Sequence, residues 1–124
     1  MQKRILVVDD EKVFRECVLE FLEEWGYQGF EAKDGKEAEL MIVNYELSGR
    51  RPNLVISDIE MPGHPNGLEL CQHITLIYPN IKVITMSANP EAYEDLAKAA
   101  GCNAFFPKPL NFLELEQSIK RILS

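Results

Sequence analysis

The chain is poor in the features that would mark a secreted, membrane-spanning or nucleic-acid-binding protein. Its three cysteines in 124 residues are an odd number without CxxC spacing, which argues against a disulfide framework and favours reduced thiols. No apolar run approaches the roughly 20 residues needed to cross a bilayer. Basic residues number 13 against 20 acidic ones, so the formal net charge is −7. Because an acidic surface repels phosphate backbones, we expect no direct nucleic-acid binding.

The N-terminal segment lacks the pattern of a secretory leader. In MQKRILVVDDEK the apolar run is only about four residues long, whereas a signal peptide needs about seven or more. We therefore expect a cytoplasmic protein with no membrane association. Apolar residues make up 46% of the chain, enough for one ordinary core, and the length predicts a single domain over residues 1–124.

Short apolar segments alternate with longer segments in which apolar residues recur at helical spacing. The alternation predicts parallel strands joined by right-handed crossovers, closed as a doubly wound, five-stranded α/β sheet with five helices. The fourth helical segment, after Pro90, is rich in alanine, so we expect it to pack least tightly. The predicted strands are RILVV (4–8), QGFEA (28–32), NLVIS (53–57), KVITM (82–86) and AFF (104–106), and the first helix has a predicted apolar stripe of Val13, Phe14, Cys17, Val18, Phe21, Leu22 and Trp25.

Polar side chains follow four of the predicted strands, at the sheet edge where ligands of this fold class bind. Asp9 and Asp10 follow the first strand, Asp58 the third, Ser87 the fourth and Lys108 the fifth. Each has an ordinary alternative: an aspartate or serine caps the next helix or opens a turn, and a lysine is solvated. Three converging carboxylates, however, repel one another by roughly 4 kcal/mol per pair at about 4 Å and an effective dielectric near 20. We therefore expect a bound proton or cation at this edge.

The residue types at this edge fit phosphoryl transfer. Carboxylate oxygens with room for water suit Mg²⁺, and an acidic pocket with a metal ion and a lysine can hold a phosphoryl group. Asp58 is then the candidate nucleophile, Lys108 pairs with one phosphate oxygen and Ser87 donates a hydrogen bond to another.

The motifs LVVDDE (6–11), DIEMP (58–62), MSA (86–88) and PKP (107–109), in this order, resemble the receiver domain of two-component response regulators. The resemblance covers residues 3–123 and implies the CheY-like, flavodoxin-like fold with strand order 2-1-3-4-5. It also implies a signalling switch rather than a turnover enzyme. The phosphoryl donor would be a phosphohistidine on a sensor histidine kinase or a histidine phosphotransfer protein. The signal would pass to a downstream output domain or protein, from a monomer or a weak phosphorylation-dependent dimer.

The resemblance assigns the metal and acceptor roles residue by residue. Asp58 would be the phosphoacceptor. Asp10 and Asp58 would bind Mg²⁺, or Mn²⁺, directly, with Asp9 acting through water and the backbone carbonyl of Glu60 as a further ligand.

The resemblance also assigns the residues that contact and read the phosphoryl group. Lys108 would contact phosphate, and its bond to Pro109 would be cis. Ser87 would be the switch hydroxyl and Phe105 the aromatic residue that turns inward on activation. Glu60 and Asn89 would tune the lifetime of the phosphoryl group. The candidate site therefore comprises Asp9, Asp10, Asp58, Glu60, Ser87, Asn89, Phe105 and Lys108.

Two departures from the receiver pattern are visible. Many receivers have tyrosine where this chain has Phe105, and Gly67 lies nine residues after Asp58 rather than the usual eight. The loop is therefore expected to carry one extra residue, with His64 exposed in it.

Three other functions can be set against this sequence. A receiver-shaped interaction module that works without phosphorylation is the main alternative, although such forms usually lack part of the acid, hydroxyl and lysine set. A flavodoxin-like FMN binder would need a phosphate loop rich in Ser, Thr and Gly after the first strand, where this chain has DDEK. A phosphatase of the haloacid dehalogenase type would need DxDxT, which DDEKV does not match.

Overall fold

The computed structural model describes residues 2–124 as five strands alternating with five helices. Four of the five helices begin with a recognisable N-terminal signal. The second, third and fifth helices are each preceded by a residue whose side chain accepts a backbone N–H (Asp34, Asn66 and Asn111), and the fourth helix begins with Pro90. The strands are β1 (Arg4–Val8), β2 (Gln28–Ala32), β3 (Leu54–Asp58), β4 (Lys82–Ser87) and β5 (Ala104–Pro107), and the helices are α1 (Lys12–Glu24), α2 (Gly35–Leu47), α3 (Gly67–Ile77), α4 (Pro90–Ala99) and α5 (Phe112–Leu123).

The strands form one parallel sheet of order β2-β1-β3-β4-β5, which confirms the predicted fold. The direction in which strands are added reverses at β1 and β3, so the carboxyl ends of these two strands flank the crevice at the switch point. β3 and β4 each run one residue beyond the predicted C-terminal end. Asp58 and Ser87 are therefore the last residues of their strands rather than the first residues after them.

Helices cover both faces of the sheet, which is why the central strands are apolar along their whole length. α1 and α5 pack on one face around Ile56 and Ile84, and α2 and α3 pack on the other around Val55 and Val83. α4 lies against β4, β5 and α3. Among residues 2–124, no helix combines the length and apolar character that a membrane span requires.

Two helices differ in how closely they follow the sequence pattern. The predicted stripe of α1 is wrong at Val13, which is 82% exposed in the first turn of the helix, whereas Arg15 is buried. In α4, Ala97 is buried and Leu96 is 53% exposed. Of the five helices, α4 has the fewest buried residues, in line with its thin apolar stripe.

Candidate functional site

Three carboxylates meet at the carboxyl edge of the sheet. Because β1 pairs with β3 in register Val8 to Ser57, the residues that follow these positions lie side by side. One oxygen from each of Asp9, Asp10 and Asp58 lies within 4.8 Å of the others. Asp9 and Asp58 are buried, whereas Asp10 is exposed. The structure thus brings together the acidic residues that the sequence placed at this edge.

Lys108 supplies positive charge beside two of these carboxylates. Its Nζ lies 2.9 Å from Asp9 Oδ2, 3.5 Å from Asp58 Oδ1 and 4.3 Å from the centroid of the Phe14 ring. A cation over an aromatic face is attracted by the ring quadrupole, so Phe14 helps to hold the ammonium in place. The Lys108–Pro109 peptide bond is cis, as the resemblance implied.

The site as a whole is short of positive charge. Burial raises the pKa of Asp58 to about 6, helped by the charges of Asp9 and Asp10, although Lys108 and the Glu60 N–H act in the opposite direction. For Lys108, burial acts to lower the pKa, but the hydrogen bond to Asp9 and the charges of Asp58 and Asp9 outweigh it, so the pKa is raised. The three carboxylates share one nearby lysine, and burial makes the charged form of Asp58 costly.

Asp9 is fixed by backbone and side-chain contacts rather than by a capping role. Its Oδ1 accepts the N–H of Glu11 at 2.8 Å, and the N-cap of α1 is Glu11, without a side-chain cap. Buried Arg15 donates to the Asp9 carbonyl at 2.7 Å and to Glu31 Oε1 at 2.6 Å. Sequence reasoning missed Arg15 because its partner Glu31 lies on β2, and no local pattern distinguishes it from a surface arginine.

The loop between β3 and α3 closes tightly over the backbone of Asp58. A Cβ added to Gly67 would lie 2.1 Å from the Asp58 carbonyl oxygen, and the Gly67 N–H donates to the Ile59 carbonyl at 3.0 Å. The His64–Pro65 bond is also cis, a feature that no sequence pattern indicated. His64 is exposed, as expected, and its Nδ1 lies 2.8 Å from Glu69 Oε1.

Ser87 and Phe105 lie on one face of the sheet, toward α4. β4 pairs with β5 so that Thr85 is opposite Phe105, and Ser87 is two residues further along the same face. Ser87 is fully buried and donates to Glu60 Oε1 at 2.6 Å, while Phe105 is half-buried. The Thr85 hydroxyl is buried and has no hydrogen-bond partner within residues 2–124. A buried hydroxyl without a hydrogen-bond partner costs free energy, so the Thr85 side chain is a destabilising feature of this conformation.

The chain is similar to known signalling proteins over its whole length. Residues 5–120 match the response regulator receiver domain family. The chain is 36% identical to the sporulation initiation phosphotransferase F of Bacillus subtilis, over 99% of this chain and 95% of that protein. It is 33% identical to the response regulator MprA of a Mycobacterium species, over 99% of this chain but only 51% of that protein, so it spans about half the length of this relative.

Solved structures show the same likeness. A CheY-like receiver domain protein from Methanospirillum hungatei superposes with a TM-score of 0.88 at 29% identity, over 99% of this chain and 94% of that one. The response regulator TrrA of Thermotoga maritima, solved in complex with Mg²⁺–BeF, gives a TM-score of 0.83 at 39% identity, over 98% of this chain and all of that one. With the motifs, the strand order and the acidic site in place, the chain belongs to the response regulator receiver domain family.

Proposed function

We propose that the chain is a phosphoacceptor switch that takes a phosphoryl group from a phosphohistidine onto Asp58. The observation that carries this proposal is a buried carboxylate at the end of β3, with Lys108 Nζ 3.5 Å away and two further aspartates beside it. The resemblance to a protein named as a phosphotransferase supports the same chemistry. The donor would be a sensor histidine kinase or a histidine phosphotransfer protein, and the setting cytoplasmic.

The reaction exchanges one bond for another. A carboxylate oxygen of Asp58 forms a bond to phosphorus while the phosphorus–nitrogen bond of the donor breaks, and the electron pair of that bond stays on the imidazole nitrogen. The product is a mixed anhydride at Asp58. Lys108 is held by Asp9 and Phe14, where its ammonium can pair with a phosphoryl oxygen. Transfer of this kind depends mainly on positioning and charge compensation, which these side chains provide.

The donor set fits Mg²⁺, or Mn²⁺. Oxygens of Asp9, Asp10 and Asp58 lie within 4.8 Å of one another, and burial of Asp58 raises its pKa to about 6, so its charged form is costly without a cation. Asp10 and Asp58 are the proposed direct ligands, Asp9 would act through water, and the backbone carbonyl of Glu60 is a further proposed ligand. When bound, the ion neutralises the carboxylates and polarises the phosphoryl oxygens. The Mg²⁺–BeF complex of TrrA supports the same preference in this chain.

The first expected result is a covalent phosphoryl adduct of the protein. Incubation with Mg²⁺ and phosphoramidate, a small phosphorus–nitrogen donor, should add the mass of one phosphoryl group, and chelation of Mg²⁺ should prevent it. Asp58→Asn replaces the nucleophilic carboxylate with a neutral amide and should give no adduct by intact mass spectrometry. A folded wild-type protein that binds Mg²⁺ but accepts phosphate from neither phosphoramidate nor a phosphorylated histidine kinase would favour the phosphorylation-independent interaction module instead.

We propose that the signal is a population shift of α4, β5 and α5. Phosphate would draw the Ser87 hydroxyl inward, and Phe105 would turn into the space opened beneath lightly packed α4. The surface of these elements would then change its affinity for an output domain or protein. The phosphoryl lifetime would be tuned by Glu60 and Asn89, which flank the site. We place the chain as a switch, monomeric or weakly dimeric when phosphorylated, rather than a turnover enzyme.

Ser87→Ala tests this coupling. The variant keeps the nucleophile, the acids and Lys108, so phosphorylation should proceed to a similar extent. Its amide chemical shifts in α4 and β5 should change much less on phosphorylation than those of the wild type, because the hydroxyl that carries the response is missing. Equal shift changes in the two proteins would contradict the switch role of Ser87.

A further inference from the structure

The carboxylate of Glu60 bridges the β3–α3 loop to the segment that leads into α4. Its Oε1 accepts the Ser87 hydroxyl at 2.6 Å and the Ala88 N–H at 3.2 Å, and its Oε2 accepts the side-chain amide of Asn89. The hydrogen bond from Ser87 is the main reason that the pKa of Glu60 lies below its ordinary value, so the carboxylate is charged at neutral pH.

This bridge occupies the one proton of the Ser87 hydroxyl. The hydroxyl donates to Glu60 and accepts the Asn89 N–H at 2.8 Å. A serine hydroxyl has one donor, so it cannot donate to Glu60 and to a phosphoryl oxygen at the same time. The bond to Glu60 must therefore break before Ser87 can bind the phosphoryl group.

We infer that the Glu60 side chain is a latch that holds Ser87 in the resting position and competes with the phosphoryl group for its proton. This inference rests on the proposed function, because it concerns how the same site is regulated. Glu60 acts through Ser87 and is in this respect a positioning residue. Both competing acceptors are anions, and hydrogen bonds to charged acceptors are stronger than those to neutral ones. The bond from Ser87 to Glu60 should therefore stabilise the resting conformation by a measurable amount.

The latch also constrains the start of α4. Asn89 is the N-cap residue of α4, yet its side chain makes no capping hydrogen bond. Its amide is engaged by Glu60 instead. Asparagine is among the favoured capping residues, so release from Glu60 frees this side chain to cap the helix. Breaking the bridge therefore changes both the position of Ser87 and the N-terminus of lightly packed α4.

Three substitutions of Glu60 distinguish the effect of its side-chain length from the effect of its negative charge. Glu60→Asp keeps the charge but is one methylene shorter, Glu60→Gln keeps the reach but loses the charge, and Glu60→Ala loses both. The probe is beryllofluoride with Mg²⁺, which mimics a phosphoryl group on a carboxylate, and its affinity is measured by calorimetry. A second readout without the probe is the ¹H shift of the Ala88 amide, which donates to Glu60 in the resting state.

The latch predicts that Glu60→Asp and Glu60→Ala bind beryllofluoride about tenfold more tightly than the wild type, a change of about 1.4 kcal/mol. The Ala88 amide proton should move upfield in both variants before the probe is added. In a Ser87→Ala background, Glu60→Asp should leave the affinity unchanged, because the residue through which it acts is missing.

Other outcomes overturn the inference. If Glu60→Asp behaves like the wild type while Glu60→Gln and Glu60→Ala both bind more tightly, Glu60 acts by charge repulsion alone. If Glu60→Asp has the same effect with and without Ser87, it does not act through that hydroxyl. A wild-type protein that binds Mg²⁺ but no beryllofluoride contradicts the proposed function itself, and the latch with it.

Discussion

Gly67→Ala should lower the free energy of unfolding by about 3 kcal/mol or more, the upper range for overpacking a close contact. The added Cβ would lie 2.1 Å from the Asp58 carbonyl oxygen and 2.5 Å from the Ile59 Cα, and these backbone atoms cannot rotate away. The loop must therefore separate from the end of β3. Because this movement displaces both Asp58 and the Glu60 carbonyl, Mg²⁺ affinity should fall at least about tenfold, as it does when the support of a metal ligand is lost.

Gly63→Ala is the matched control in the same loop. Gly63 has a φ of 77° and nothing within 4 Å of an added Cβ, so only the backbone conformation is strained. Its expected cost is about 1 kcal/mol, with Mg²⁺ affinity retained. Urea unfolding and Mg²⁺ titration of both variants provide the measurement. Equal losses in the two variants would mean that close packing of Gly67 on Asp58 does not shape the site.

Asp58→Asn should stabilise the metal-free protein at pH 7.5 while removing the proposed acceptor. The pKa of Asp58 is raised from 3.8 to about 6, which corresponds to a cost of up to about 3 kcal/mol for holding the charged carboxylate in the folded state. Asparagine has a similar size and can still accept the Glu60 N–H. We therefore expect a gain of about 2 kcal/mol by urea unfolding in the presence of a chelator.

The sign of the pH dependence follows from the raised pKa. The stability that a protonated Asp58 provides is complete below about pH 3.8 and is lost as the pH rises through about 6. The advantage of Asp58→Asn should therefore shrink as the pH falls from 6 toward 4. It should also shrink when saturating Mg²⁺ stabilises the wild type. Asp95→Asn, at an exposed position of α4, should change stability by less than about 0.5 kcal/mol. A destabilised Asp58→Asn, or an advantage that does not depend on pH, would contradict this electrostatic account.

The sequence predicted the elements and the carboxyl-edge residues because both follow from local patterns. Continuous apolar runs mark strands covered on both faces, and the polar residue that ends each run has to lie at one edge of a parallel sheet. Asp58, Ser87 and Lys108 could therefore be placed before their distances were known. The predicted exposure of His64 is confirmed. It could also be predicted from a local pattern, because His64 lies between two prolines in a loop.

The contacts that tune the site could not be predicted, because they join residues far apart in the chain. Arg15 reaches Glu31 on β2, and Phe14 lies under an ammonium 94 positions later, at Lys108. Side-chain periodicity assigns a helix face but does not identify a polar partner on another element. Val13 shows the reverse error: an apolar residue at helical spacing is exposed in the first turn of its helix.

The position of the phosphoryl group tests the central claim most directly. Borohydride reduces an aspartyl phosphate to homoserine, so peptide mass spectrometry after incubation with Mg²⁺ and phosphoramidate identifies the residue that carried the phosphate. The account predicts homoserine at position 58 and at no other aspartate, with none formed when Mg²⁺ is chelated. Homoserine at position 9 or 10, or a borohydride-resistant phosphate on Ser87, would contradict it.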